Sequence, residues 1–417
     1  AYYPYSESLT DGKMDWIMKK LFIMAAMIVA SSSAFAQDLK SVLKSKDYAE
    51  AQGQLQSCLS TLSNDEKAKA YHKLVELSLN KANHEISIIQ ENQMMKQMGQ
   101  AGEKVVDNMG MAVALKNALL DAEQCDKYDA LPNAKGKVAP KFHKKLQEAL
   151  WPLRIHLVIV GQGALEKEDQ KTALDLFGAY VESAVSPLFA DFDKTKAPDE
   201  NLGEVARVAG VLAYQNKNMD LANKYIDVSL KDTASYKDAL SIKMALMQES
   251  MKTREDSVKC LKSFEALYAN DSENETIFTN LATLYGTLGM KDKQADLLNT
   301  RLAKNPNDFM ALAVKGQAEM NESKWDEAIA DFKKANSIKE DALVLTWLGF
   351  SINNKAAGLA TFEQQKPLLE ETQGYLEKAR QLDPNQERAN WRYLLYSTYY
   401  NLYGAEDSRT KAMDPNK

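Results

Sequence analysis

Residues 305–338 read NPNDFMALAVKGQAEMNESKWDEAIADFKKANSI. The stretch opens with the turn-forming run Asn305-Pro306-Asn307-Asp308. Gly316 and Ala328 then lie twelve residues apart, and Phe332 follows Ala328 by one helical turn. Small residues let two helices approach closely where they cross, and the large ring fills the space beside the crossing. The stretch therefore predicts a pair of closely packed helices.

The same spacing occurs elsewhere in the chain, at Gly161, Ala173 and Phe177 and at Gly210, Ala222 and Ile226. Alignment on the small residue of the first helix puts unit starts near 154, 203, 237, 275, 309 and 342. A repeat of about 34 residues of this kind indicates helix pairs stacked into a solenoid. The unit at 237 is weak, and the unit at 342 carries roughly eleven extra residues, around 355–367, between its helices.

The chain resembles the tetratricopeptide repeat family, in an exported bacterial form. The matching residues are Trp325-Asp326-Glu327-Ala328-Ile329, Phe332 and Ala335; Leu281-Ala282 and Tyr285; Leu348-Gly349, Leu376 and Ala379; Asp383-Pro384-Asn385; and Asp47-Tyr48-Ala49-Glu50-Ala51. The resemblance implies an all-α fold: a right-handed α-solenoid of tetratricopeptide-like helix pairs with an N-terminal helical extension. It also implies a scaffold or adaptor that binds a protein or peptide partner on its concave face.

The N-terminal segment has the three parts of a secretory signal peptide. Met18-Lys19-Lys20 is the positive part, Leu21 to Ala30 the apolar part, and Ala34-Phe35-Ala36 the cleavage site. Position 37 is Gln, so the Cys that a lipoprotein needs is missing there. We expect a soluble mature protein, periplasmic or secreted, without a stable membrane span once the signal peptide is removed.

We expect six segments along the chain. They are an upstream or non-native segment at 1–17, the signal peptide at 18–36, an N-terminal helical region with one partial repeat and a Met/Gly-rich hairpin at 37–150, the tetratricopeptide-like array at 151–386, a capping helix at 387–405 and a flexible tail at 406–417.

Composition argues against several classes of function. The net charge of −6 and the absence of a basic block make nucleic acid an improbable partner. The widely spaced Cys58, Cys125 and Cys260 form no zinc pattern and fit buried small residues. His84-Glu85 begins like a zinc-protease helix, but Ile88 stands where the second His ligand is needed. We predict no enzyme activity, no catalytic residue, no metal and no cofactor.

Inward positions of the first helices can be assigned from the resemblance. They are Gln162, Arg207, Val211, Tyr214, Asn280, Thr283, Gln317, Phe350 and Asn353. This mixture of polar and aromatic residues suits hydrogen bonds to a peptide backbone and shallow side-chain pockets. The Lys set with which some family members grip a terminal carboxylate is missing.

Two alternatives stay open. The Met-rich segment 94–111, which also contains glycines, is either a flexible hairpin that binds the partner or an ordinary mobile connection. Aromatic residues at Trp347, Phe350 and the last helix would also suit a periplasmic small-molecule or glycan-binding component, and a hydrolase with an unrecognised site is a further alternative. Tyr393, Tyr396, Tyr400 and Tyr403 of that helix fit either a cap or a ligand platform.

Overall fold

The computed structural model describes residues 39–414. Across that range the regular structure is helical, with short 3₁₀ turns and no β-strand, which confirms the predicted all-α solenoid class. The segments 1–17 and 18–36 lie outside the described residues. Two compact units are present: the first ends at Lys243 and the second begins at Met244, a division that falls within one helix.

The first unit contains the N-terminal helices and two regular pairs. Its helices are α1 (Leu39–Lys44), α2 (Tyr48–Cys58), α3 (Asn64–Gln97), α4 (Asn108–Asp129), α5 (His143–Leu150), α6 (Ile155–Glu166), α7 (Gln170–Ala184), α8 (Leu202–Gln215), α9 (Met219–Ser229) and the first half of α10 (Tyr236–Ser250). The long helices α3 and α4 pack against each other as an antiparallel hairpin. Pairs α6–α7 and α8–α9 follow the predicted register.

The second unit continues the paired pattern. After the rest of α10, its helices are α11 (Arg254–Asn270), α12 (Glu275–Thr287), α13 (Lys291–Lys304), α14 (Phe309–Asn321), α15 (Trp325–Ile338), α16 (Ala342–Ala357), α17 (Phe362–Leu382), α18 (Trp391–Tyr403) and α19 (Ser408–Met413). In each pair the even-numbered helix comes first. We call α12, α14 and α16 the first helices and α11, α13, α15 and α17 the second helices.

Glycines at the helix crossings explain why the pairs pack closely. A methyl group placed on Gly316 would lie 2.7 Å from Cε1 of Phe332. The same construction gives 2.5 Å between Gly161 and the Phe177 ring. The predicted spacing, twelve residues from the glycine to the alanine and four more to the large apolar residue, therefore brings the glycine and the large side chain into one close contact. Only a residue without a side chain fits at this distance.

Side chains that cap the helices fix where the first helices begin. Asn274, Asp308 and Asp341 precede α12, α14 and α16, and each accepts hydrogen bonds from backbone N–H groups of the first turn. Such caps stabilise a helix by about 1 kcal/mol each. The inter-unit turns of the sequence, with their Asn and Asp residues, thus place the helix starts.

Two expectations need correction. The extra residues around 355–367 do not form a loop, because α16 runs to Ala357 and α17 begins at Phe362, where Thr361 and Gln364 cap it reciprocally. Within the expected tail at 406–417, residues 408–413 form α19, and its Met413 is only 6% exposed against the core around α18. Burial of this one apolar side chain holds the segment as a helix.

Candidate functional site

Three first helices of the second unit lie side by side: α12 contacts α14, and α14 contacts α16. On α12, Thr276, Asn280, Thr283 and Thr287 follow each other at intervals of four, three and four residues, which puts them on one face. All four are exposed or half-buried. The equivalent positions, counted from the small residue at each crossing, are Met310, Val314, Gln317 and Asn321 on α14, and Leu343, Trp347, Phe350 and Asn354 on α16. We call these twelve residues the first-helix stripe.

Asparagine side chains on the stripe bind their own helices. Nδ2 of Asn280 donates to the carbonyl oxygen of Thr276 at 2.8 Å, and Nδ2 of Asn354 donates to that of Phe350 at 2.9 Å. Each bond engages one of the two amide N–H donors and leaves Oδ1, an acceptor with two lone pairs, as the group that can meet an incoming N–H. Oδ1 of Asn280 already accepts from Gln248 at 3.4 Å, which is a long contact.

The stripe becomes apolar and aromatic on α16. The Phe350 ring is 37% exposed and meets Trp325 edge-on, with ring centroids 6.1 Å apart. The half-buried Trp347 packs against Phe332 at 5.9 Å. Because neighbouring rings hold both side chains, this end is an apolar aromatic surface whose ring orientations are fixed by packing.

Ionisable side chains of the first helices lie toward the second helices. Lys315 of α14 binds Asp331 of α15 and also Glu319, at 2.9 Å. Burial lowers the pKa of Lys315, but the bonds to the two carboxylates outweigh it and leave the pKa raised. Lys355 of α16 pairs with Asp326 of α15 at 2.5 Å. Both lysine charges are therefore already paired with carboxylates of α15.

The structure assembles most of the predicted site residues of the second unit. Asn280, Thr283, Gln317 and Phe350 all belong to the stripe. Asn353 does not: its Nδ2 donates to Oγ1 of Thr398 on α18 at 3.0 Å, and its Oδ1 is buried. Asn353 is thus a packing residue between two helices, and its donor is not available to a ligand.

The predicted residues of the first unit form a less open set. Arg207 of α8 binds Glu204 through two hydrogen bonds of 2.8 and 2.6 Å, so its charge is already compensated. Val211 is half-buried, whereas Gln162 of α6 is exposed and Tyr214 is 41% exposed. An ion pair at an exposed position contributes about 0–1 kcal/mol, so a ligand carboxylate could still displace Glu204.

The Met-rich segment 94–111 connects α3 and α4 at the tip of their hairpin. Three of its methionines are exposed by 47–56%, Met94, Met98 and Met109, and Met111 is fully buried. Asn92 holds the connection in place with two hydrogen bonds to the backbone of Lys104. Its Oδ1 accepts from the N–H at 2.8 Å, and its Nδ2 donates to the carbonyl oxygen at 2.7 Å. The tip is therefore an ordered surface with apolar side chains, and it remains the competing binding element.

A histidine cluster shows what the polar groups outside the stripe do. Nδ1 of His143 lies 2.6 Å from Asp126, and Nε2 lies 2.9 Å from Asp191 and 3.0 Å from Gln147. Burial lowers the pKa of His143, but the hydrogen bonds to the two carboxylates outweigh it and the pKa is raised. With both ring nitrogens engaged, the imidazole joins α4, α5 and the segment after α7 and has no nitrogen left for a substrate.

A buried arginine secures the extra stretch of the unit that begins near 154. The guanidinium of Arg154 is 2% exposed and binds Asp199 and Ser183 at 2.9 and 2.8 Å. It also lies between the rings of Trp151 and Tyr180, 4.3 and 4.4 Å from their centroids. All of these contacts are internal to the fold, so the group serves structure.

Sequence reasoning named Trp347 only as an aromatic residue suited to a small molecule or glycan, and it missed seven other members of the stripe, namely Thr276, Thr287, Met310, Val314, Asn321, Leu343 and Asn354. Two signals in the sequence could have found them. One is the interval of four, three and four residues counted from each small crossing residue. The other is the scarcity of charged residues in these helices compared with the helices that follow them.

No group of three His, Cys, Asp or Glu side chains able to hold a metal occurs within residues 39–414.

Comparison with known proteins gives likenesses of fold only. No family model matches the chain, and no curated protein matches it. One similar solved structure is the C-terminal part of a tetratricopeptide repeat protein from Cytophaga hutchinsonii. The two sequences are 15% identical, the match covers 62% of this chain and 96% of that chain, and the TM-score is 0.37. A tetratricopeptide repeat protein from Parabacteroides merdae has 14% identity, coverages of 75% and 98%, and a TM-score of 0.32.

A third similar structure is YrrB, described as a tetratricopeptide protein with an unusual peptide-binding site. It has 16% identity, covers 60% of this chain and 95% of that chain, and gives a TM-score of 0.24. At such identities and TM-scores the three likenesses say nothing about what this chain binds.

Within the described residues, no helix is both long and apolar enough to cross a bilayer.

Proposed function

We propose that this chain is a non-enzymatic scaffold or adaptor that binds an extended segment of a protein partner along the first-helix stripe of its second unit. The observation that carries the proposal is the alignment of three partly exposed stripes on contacting helices. Polar acceptors lie on α12 and an apolar aromatic surface lies on α16. An extended peptide can use this combination: acceptors for its backbone N–H groups and an apolar contact for one side chain.

The described side chains favour binding over catalysis. Catalysis by a histidine needs a ring nitrogen within reach of the substrate, and both nitrogens of His143 are engaged. The stripe itself consists of hydroxyl, amide and apolar side chains, without a base that could activate a nucleophile. These groups can hold a ligand and have no evident way of transforming it.

A comparison of three immobilised proteins tests the proposal. The wild type, the double variant Asn280→Ala/Phe350→Ala and the hairpin variant Met94→Gln/Met98→Gln are each exposed to an envelope extract, and retained proteins are quantified by mass spectrometry. Exposed substitutions usually cost under about 0.5 kcal/mol, so all three proteins should fold, which circular dichroism verifies. We expect a partner that the wild type and the hairpin variant retain and the double variant loses.

The opposite pattern would contradict the proposal. If the double variant retains the partner and the hairpin variant loses it, the Met-rich tip is the binding element. The variant Ser337→Ala serves as a matched control, because Ser337 is an exposed residue on the second helix α15. If this control also loses the partner, the loss seen with the double variant cannot be attributed to the stripe.

We further propose that the chain is exported and cleaved after Ala36. Support comes from the ordered leader of residues 18–36. N-terminal sequencing of the protein recovered from the periplasm or medium should begin at Gln37, with that residue free or cyclised. Recovery in the cytoplasm with the leader intact would refute export.

A further inference from the structure

We infer that the segment bound by the first-helix stripe is uncharged, about five or six residues long in its contact region, and carries an apolar or aromatic side chain at the α16 end. The inference rests on the proposed function and adds the chemistry of the ligand. It depends on how charge is distributed between the two kinds of helix in the second unit.

Charged residues are concentrated on the second helices. Each of α11, α13, α15 and α17 carries between five and seven Asp, Glu, Lys or Arg residues. The three first helices together carry four, namely Glu275, Lys315, Glu319 and Lys355. None of these four belongs to the stripe. Only Val314 among the twelve stripe positions is buried, and in a chain that is 26% charged chance would place several charges among the other eleven.

Three of those four charges are also neutralised. Lys315 is bound between Glu319 and Asp331, and Lys355 is bound to Asp326. The fourth, Glu275, is exposed in the first turn of α12, where the helix dipole favours a carboxylate. None of the twelve stripe residues therefore offers a counter-charge to a ligand.

A charged ligand side chain would lose hydration on this surface and gain no ion pair in return. Desolvating an unpaired charge is far more costly than desolvating an amide that finds a hydrogen-bond partner. Uncharged residues avoid this cost, and their backbone N–H groups can donate to acceptors such as Oδ1 of Asn354. The stripe thus selects against acidic and basic segments alike, including a C-terminal carboxylate.

Helix spacing sets the length of the contact. Packed helices lie about 8–10 Å apart, so α12 to α16 spans roughly 16–20 Å. An extended chain advances about 3.3 Å per residue, so about five or six residues cross the stripe. The aromatic end at Phe350 and Trp347 receives an apolar side chain, since these rings present an apolar surface there.

Selection from a displayed library of random peptides tests the inference without knowledge of the natural partner. The full chain is the bait, and parallel baits carry Gln317→Lys, which adds a charge within the stripe, or Ser337→Lys, which adds the same charge on α15. Peptides enriched on the wild type should be depleted in Asp, Glu, Lys and Arg over a core of five or six residues. A synthetic peptide from that pool should bind with nearly equal affinity at low and high salt.

The two charge variants should differ. Gln317→Lys should weaken the uncharged peptide by about tenfold or more and shift the enriched pool toward acidic sequences, whereas Ser337→Lys should change neither. Enriched peptides that carry charges in their core, yet lose binding in Asn280→Ala/Phe350→Ala, would overturn the inference and leave the proposed function standing. Two outcomes would overturn both the inference and the proposed function. One is a pool of uncharged peptides whose binding no stripe variant changes, and the other is the absence of any enriched peptide.

Discussion

Replacing Gly316 by Ala adds a single methyl group at the closest helix crossing of the repeat 305–338. The new Cβ would lie 2.7 and 2.8 Å from Cε1 and Cδ1 of Phe332, well inside van der Waals contact. Phe332 is fully buried, and Trp347 packs against its ring, so the ring has little room to move. The substitution therefore tests whether the small residue at this spacing is required by packing.

Two opposing effects set the magnitude. Ala is favoured over Gly in a helix interior by about 1 kcal/mol. Overpacking a filled core costs about 1–3 kcal/mol. Gly374 provides a matched control, because it lies within α17, is exposed, and a methyl group there would meet nothing within 4 Å. We expect Gly374→Ala to stabilise the protein by about 1 kcal/mol, and Gly316→Ala to be less stable than Gly374→Ala by about 1–3 kcal/mol.

Urea unfolding followed by circular dichroism measures the difference. Midpoints and slopes are compared together, because a repeat protein can unfold in parts and a changed slope would reveal it. Adding Phe332→Leu to Gly316→Ala should be less damaging than the sum of the two single effects, since removal of the ring relieves the contact. Equal stabilisation by both Gly→Ala substitutions would refute the crossing geometry.

Three further predictions follow from groups outside the crossing. Arg154→Met should cost about 3–5 kcal/mol in urea unfolding, because it leaves the nearly buried Asp199 without its charged partner and with only the Tyr180 hydroxyl bonded to it, and the double variant Arg154→Met/Asp199→Asn should recover part of that loss. Burial raises the pKa of Asp121 from 3.8 to about 7 despite the Tyr48 hydroxyl that donates to it, so its stabilising contribution is full below pH 3.8 and lost as the pH rises through 7. Asp121→Asn should flatten the decline in urea midpoint between about pH 4 and 7, and an unchanged decline would contradict this. Arg207→Ala should change the free energy of unfolding by less than about 0.5 kcal/mol, since its ion pair with Glu204 lies at the surface.

The pairing of helices could be predicted from the sequence because it depends on one strong local constraint. Gly316 and Phe332 are sixteen residues apart, and a close helix crossing demands a small residue opposite a large one. The caps at Asp308 and Asp341 are equally local. Such short-range requirements restrict the residue types at fixed spacings in the sequence, so the register of the helix pairs could be predicted.

Other features could not be predicted, since they depend on side chains distant in sequence. Asn353 has the composition of a ligand-binding residue, but its partner Thr398 lies 45 residues away. Arg207 is a different case, because its partner Glu204 stands three residues earlier on the same helix face and this ion pair could have been predicted from the spacing. The helix at 408–413 follows from burial of Met413, and nothing within six residues indicates what will cover that side chain.

Site-specific crosslinking tests the central claim most directly. A photoreactive amino acid is placed in turn at Gln317 on the stripe, at Ser337 on α15 and at Met98 on the hairpin tip, and each protein is irradiated with an uncharged peptide selected on the wild-type chain. We expect a crosslink at position 317 and none at 337 or 98. A crosslink at 98 or 337 without one at 317 would contradict the claim.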